Sequence, residues 1–182
     1  MTKNAAGKPV ALSLTVLGAL ARLLPHPPNF APVGGVSLFA GARLPAWQAY
    51  LVPLALMVIT DPIYGAFYGV PAYSRMQLFT YGSFLIAVWL GRSLRGAVNI
   101  PRIAALSVIN SIQFFVITNF GTWLGSSHTY AHSVAGLTAC YIAAIPFFGW
   151  TLASDAFYTA ALFGLYAWLT RNAAARERAA MA

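Results

Sequence analysis

Of the 182 residues only three are acids, Asp61, Asp155 and Glu177, and the first two stand in apolar surroundings. An ionised carboxylate in hydrocarbon costs at least about 2.5 to 3.5 kcal/mol, so each needs a partner or water. Arg22, near the end of the first apolar run, stands at a similar depth. Three readings stay open for Arg22, Asp61 and Asp155: one polar pocket that touches a ligand, an internal salt bridge that fixes helix packing, or a proton-coupled group. Pro25-His26-Pro27-Pro28-Asn29-Phe30 is the most distinctive string. Three prolines stiffen it, so His26 and Asn29 can offer hydrogen bonds from a fixed point, or the string serves only to reverse the chain. Val33-Gly34-Gly35 follows and permits close backbone approach.

Asn110, Gln113, Thr118 and Asn119 interrupt a later apolar run. Asn110 and Gln113 share one helical face, which must look into a bundle because amides avoid lipid. Tyr64, Phe67, Tyr68, Tyr73, Phe120, Trp123 and Tyr130 fit an interfacial aromatic belt, or some of them a stacking surface for a planar ligand. His128 and His132, four apart, with His26, are the only set that suggests a metal. No carboxylate or cysteine is tied to them by spacing, and neither a metal nor a cofactor is expected. Cys140 has no second cysteine to pair with and reads as a small buried residue. No phosphate loop, H-E-x-x-H or G-x-S-x-G occurs, and no nucleophile and base are paired by spacing, so no enzymatic activity is expected. Thr60-Asp61-x-x-Tyr64 and Ser154-Asp155-x-x-Tyr158 echo each other, as a weak internal repeat or by chance.

The elements that must position these residues are membrane helices. Hydrophobic residues make up 59% of the chain and charged residues 8%, against about 25% charged in a soluble domain. So few charges cannot solvate a globular surface, and so apolar a chain is not disordered. The net charge of +8 does not imply nucleic acid, because Lys and Arg sit at loop ends and termini rather than in a stripe. The prolines, glycines and arginines predict a first helix over 9–24, retained rather than cleaved as a signal peptide, and a short apolar segment over 33–44. A third helix over 46–60 stops at Asp61-Pro62, and further helices cover 76–94 and 103–120. Pro146 and Gly149 divide the last stretch into a re-entrant or interfacial segment, 134–145, and a final span, 150–170; two full spans are the alternative. Ala135, Ala139 and Ala143, and Ala156, Ala160 and Gly164, form small-residue stripes suited to helix packing.

Lys3 and Lys8, then Arg43, then Arg92, Arg95 and Arg102, then Arg171, Arg176 and Arg178 fall on alternate connections. Placing all of them in the cytoplasm makes residues 1–182 one transmembrane domain with six crossings, a cytoplasmic start (1–8) and a cytoplasmic tail (171–182). Loops 25–32, 61–75 and 121–133 then face outward.

The strings Arg22-x-x-Pro25-His26-Pro27-Pro28-Asn29-Phe30-x-Pro32-x-Gly34, Thr118-Asn119-Phe120-Gly121-x-Trp123 and Gly136-Leu137-x-x-Cys140-Tyr141-x-x-Ala144-Ile145-Pro146-Phe147-Phe148, with Asp61 and Asp155, resemble a family of small uncharacterised bacterial membrane proteins along nearly the whole chain. The architecture is similar to the substrate-binding S-components of energy-coupling factor transporters. That resemblance implies an all-α bundle of about six transmembrane helices with short half-helices in the bacterial inner membrane. It also implies a small-molecule pocket, for a vitamin-like compound or metal complex, under the three outer loops, and an energising membrane protein with ATPases as partner. The first helix departs from the docking pattern A-x-x-x-A, carrying Ala11-x-x-x-Thr15 and Gly18-Ala19. Arg22, His26, Asn29, Asp61, Asn119, Trp123 and Asp155 are the expected binding residues. The alternative is a scaffold or assembly factor within a membrane complex.

Overall fold

A computed structural model describes residues 7–69, 71, 73–95, 98–125 and 128–180, the last four by backbone alone. Lys3 and the side chains of Glu177 and Arg178, in the two segments assigned to the cytoplasm, lie outside the described residues. Six α-helices are found among the described residues: α1 (Gly7–Leu20), extended by a 3-10 turn (Ala21–Leu23), α2 (Val33–Arg43), α3 (Ala46–Tyr68), α4 (Met76–Arg92), α5 (Ile100–Gly125) and α6 (Val134–Ala180). Three stretches, Ala46–Tyr68, Ile100–Gly125 and Val134–Arg176, are long and apolar enough to cross a membrane. Large apolar side chains face outward along the helices, among them Leu17, Trp47, Leu78, Trp89, Ile100 and Trp168. Water would not tolerate that much contiguous apolar surface, whereas lipid tails solvate it.

The short helix α2 is the centre of the bundle. Residues 33–42 are all buried in it, so α2 need not match the thickness of a bilayer. It packs between α4 and α6. A Cβ on Gly41 would overlap the Val88 carbonyl of α4, and one on Gly91 would overlap the Leu38 carbonyl of α2. These reciprocal glycines bring the two backbones together, as small residues do in membrane bundles. Phe39 meets Phe163 and Tyr166 of α6 edge-on, at 5.2 and 5.8 Å. Around this centre lie Ala11, Leu14, Val36, Leu44, Val88, Leu94 and Leu162.

Two helix boundaries differ from those the prolines predict. α3 runs through Asp61-Pro62 to Tyr68. Pro62 has no N–H, which leaves the Val58 carbonyl without its helical donor. The Tyr73 hydroxyl donates to that carbonyl at 2.7 Å, so the helix continues. Gly69, at φ 66°, then ends α3 in the left-handed conformation that glycine adopts freely.

The second difference is larger. Segment 134–145 is neither re-entrant nor separate: α6 is continuous through Pro146 and Gly149. It lies antiparallel to α5 along the whole of that helix, from the Tyr141 hydroxyl on the Val116 carbonyl (2.7 Å) to Ser107 beside Thr159 (3.5 Å). Contacts with α5 flank the proline on both sides, from Tyr141 to Phe148, and the helix continues across it. At 47 residues, α6 extends about 70 Å, more than a bilayer's full thickness of about 40 to 45 Å. Asp155, near the start of the expected final span 150–170, therefore lies well inside α6.

The starts of α1 and α5 and the ends of α2, α4 and α6 share one end of the bundle. Lys8, Arg43, Arg92, Arg95, Arg102 and Arg171 gather there. The Arg43 guanidinium lies 4.5 Å from the Tyr166 ring, and Arg95 donates to the Gly41 carbonyl. The loops after α1, α3 and α5 meet at the opposite end.

Candidate functional site

Two acid-centred clusters grip the connection between α1 and α2 from opposite sides. On one side, α3 supplies Thr60, Asp61 and Tyr64. Arg22 Nη1 donates to Asp61 Oδ1 at 2.6 Å and to Thr60 Oγ1 at 2.8 Å, and touches Met57 Sδ at 3.1 Å. The Tyr81 hydroxyl of α4 donates to the other oxygen, Asp61 Oδ2. Arg22 also lies over the Tyr64 ring, 5.4 Å from its centre. The ion pair has side chains 11% and 8% exposed, so it is a buried pair whose lone pairs are met by extra donors.

On the other side, α6 supplies Ser154, Asp155 and Tyr158. The Ser154 hydroxyl donates to the Ala31 carbonyl at 2.6 Å. Asp155 Oδ2 accepts from Ser111 Oγ at 2.7 Å and from Asn110 Nδ2 at 3.0 Å, both on α5. The Gly35 N–H, in the first turn of α2, also donates to the Asp155 carboxylate. Asp155 thus caps the buried N-terminus of the half-helix from outside, where free N–H groups and the helix dipole favour negative charge. Gly34 explains itself here, since a Cβ would overlap Asp155 Oδ1. Asn110 in turn accepts from Gln113 Nε2 at 3.0 Å, and Gln113 also donates to the Ser83 carbonyl of α4 at 3.1 Å.

Between the two clusters lies an open cavity of about 210 Å³. Arg22, His26, Asn29 and Asp155 line it, together with Gly34, Tyr64, Phe84, Phe114, Thr151 and Ser154. His26 turns both ring nitrogens to backbone carbonyls, Nδ1 to Pro27 at 3.0 Å and Nε2 to Arg22 at 3.1 Å, and stacks near Tyr64. Asn29, at φ 63°, holds a left-handed conformation that asparagine tolerates better than most residues. The Phe30 N–H bonds the Pro27 carbonyl at 3.0 Å, so the proline string forms a tight turn. That turn carries Asn29 to the partition between this cavity and a second one of about 260 Å³. The second is lined by uncharged polar groups, Thr80, Thr118, Asn119, Thr122 and Thr151, with Phe114, Phe115 and Phe147.

Of the seven residues expected in one site, four line the first cavity: Arg22, His26, Asn29 and Asp155. Asp61 stands behind its wall, bonded to Arg22. Asn119 belongs to the second cavity, its Nδ2 turned back to the Phe115 carbonyl at 2.8 Å. Trp123 lines neither: its indole N–H donates to the Ala131 carbonyl at 2.9 Å, and its ring faces Phe120 and His132. It fastens the α5–α6 loop. Cys140 is buried against the Asn119 carbonyl. The structure adds Tyr81, Ser111, Phe84 and Phe114. Tyr81 and Ser111 carried no sequence signal, since a hydroxyl in an apolar helix ordinarily bonds back to its own backbone.

A single family model matches residues 3–178, nearly the whole chain, and so decides the relationship. The chain belongs to DUF6580, a family of unknown function. No curated protein and no solved structure matches it. The function of this DUF6580 member must therefore be argued from its cavity.

Proposed function

We propose that the protein is the ligand-binding membrane component of a transport system for a small molecule, taken up at the end of the bundle away from the basic residues. The observation that supports this most is the open cavity with ionic side chains in its wall, Arg22 and Asp155, and with His26 and Asn29 fixed over it by the proline turn. A polar cavity in a lipid-solvated bundle is costly to build and points to a polar occupant.

In this reading the basic end faces the cytoplasm of a bacterial cell with both termini, and six helices cross or partly cross the inner membrane as in S-components. An energising membrane protein with ATPases drives uptake. The Lys and Arg asymmetry between the two ends supports that orientation. The protein binds rather than catalyses. The scaffold reading draws on a different observation: Arg22 and Asp155 already have internal partners, so these bonds alone account for them as packing devices.

Purified protein in detergent, screened by thermal shift and native mass spectrometry against vitamins, amines and metal ions, separates the two. Transport predicts a ligand that raises Tm and is lost on substitution of Arg22 or Asp155. Well-folded protein that binds nothing, yet co-purifies with a stable membrane partner, overturns the transport reading.

A further inference from the structure

We infer that the occupant of the first cavity carries a positively charged nitrogen, seated against Asp155 and the aromatic wall. The inference rests on the binding role proposed above and adds the ligand's chemistry. It starts from an imbalance. Asp61 is neutralised at 2.6 Å by Arg22. Asp155, only 3% exposed, has no cation among its bonding partners: Asn110, Ser111 and the Gly35 N–H are all neutral donors. The N-terminus of α2 offsets about half an elementary charge at most. The other basic side chains lining the same cavity are engaged elsewhere, Arg22 with Asp61 and His26 with two backbone carbonyls.

The rest of the wall suits a cation too. Tyr64, Phe84 and Phe114 line the cavity, and Phe84 and Phe114 stack with centres 5.5 Å apart. Aromatic faces with a carboxylate are the usual surroundings of an ammonium or quaternary nitrogen, since ring quadrupoles attract positive charge without hydrogen bonds. At about 210 Å³ the chamber suits a small amine rather than a large cofactor. Asn29 and Thr151, shared with the second cavity, lead from the charged chamber to the uncharged one, where hydroxyl or amide groups of the same ligand find Thr118, Asn119 and Thr122.

The test is isothermal titration of the detergent-purified protein with charged and uncharged twins. Choline is set against 3,3-dimethyl-1-butanol and ethanolammonium against ethylene glycol, with sodium chloride and sodium succinate as further arms. At least one organic cation is expected to bind tenfold or more tighter than its neutral twin. Asp155→Asn is expected to abolish that preference. Phe114→Leu, which leaves the Asp155 bonds intact, is expected to weaken cation binding about 3- to 30-fold, the loss of one desolvated cation–π contact. Equal binding of the twins, binding of succinate or sodium alone, or an unchanged affinity in Phe114→Leu overturns the inference. If a neutral or anionic compound binds in the wider screen, the binding role stands while this inference falls. If folded protein binds nothing in either panel, both fall.

Discussion

Thr60-Asp61-x-x-Tyr64 and Ser154-Asp155-x-x-Tyr158 are the same pattern put to two electrostatic uses. Both hold the α1–α2 connection, the first by Arg22 at the end of α1, the second by the segment from Ala31 to Gly35 at the start of α2. In the first, a full positive charge meets the carboxylate, and Tyr81 takes the remaining oxygen. In the second, dispersed neutral dipoles do so: an amide, a hydroxyl and the first turn of a buried helix. The contrast shows that a buried acid in a membrane bundle can be stabilised without a counter-ion, provided that enough oriented donors converge. Of the two carboxylates, Asp61 is paired with a cation and Asp155 is held by neutral donors.

The comparison breaks most visibly at Asp155. Asp155→Ala strands the Gly35 N–H and the Asn110 amide together, at about 1 to 3 kcal/mol for each unsatisfied group, while the Ser111 hydroxyl keeps the Ser107 carbonyl at 3.2 Å. A loss of about 4 kcal/mol, the largest of the series, is expected in denaturant unfolding in mixed micelles. A loss below about 1 kcal/mol would mean that α2 needs no external cap. Next comes Arg22→Met, which leaves Asp61 buried and uncompensated at a cost of about 3 kcal/mol. Adding Asp61→Asn to it should recover most of that loss; no recovery would show that Arg22 acts through packing rather than charge. Tyr81→Phe, which removes one bond to the Asp61 carboxylate, should cost about 1.5 kcal/mol, the range for a hydrogen bond to a charged group. Ser154→Ala should cost about 1 kcal/mol, as a neutral bond to the Ala31 carbonyl. Tyr73→Phe is the smallest, about 0.5 kcal/mol, and should vanish in a Pro62→Ala background, where the restored N–H serves Val58. Hydrogen exchange over residues 58–68 would report that coupling.

The unequal legibility of the two clusters has a physical origin. Arg22 and Asp61 were readable, with Asp155, as charges in need of compensation because ionised side chains in apolar runs are rare. Asn110 and Gln113 were readable as inward-facing from their spacing. The partners of Asp155 were not: a backbone N–H has no sequence signature, and Ser111 looks like any small helical residue. Trp123 misled because an aromatic near an outer loop serves a ligand, an interface or a loop carbonyl equally well. Pro62 and Pro146 misled for a common reason. Proline removes a donor locally, but whether the helix ends depends on the surroundings: Tyr73 supplies the donor at Val58, and contacts with α5 flank Pro146, both from elsewhere in the chain.

The sequence by itself determined the solvent and the class of fold, because composition and run length depend on residue types alone: an apolar, charge-poor, helical chain with most of its cations spaced to one end. It also determined that Arg22, Asp61 and Asp155 must be compensated. Only the tertiary structure decided which partner each received, that α2 is the buried hub, and that α6 is one helix. Those outcomes rest on reciprocal glycines, a borrowed hydroxyl and a helix terminus, all of which exist only once separate segments meet.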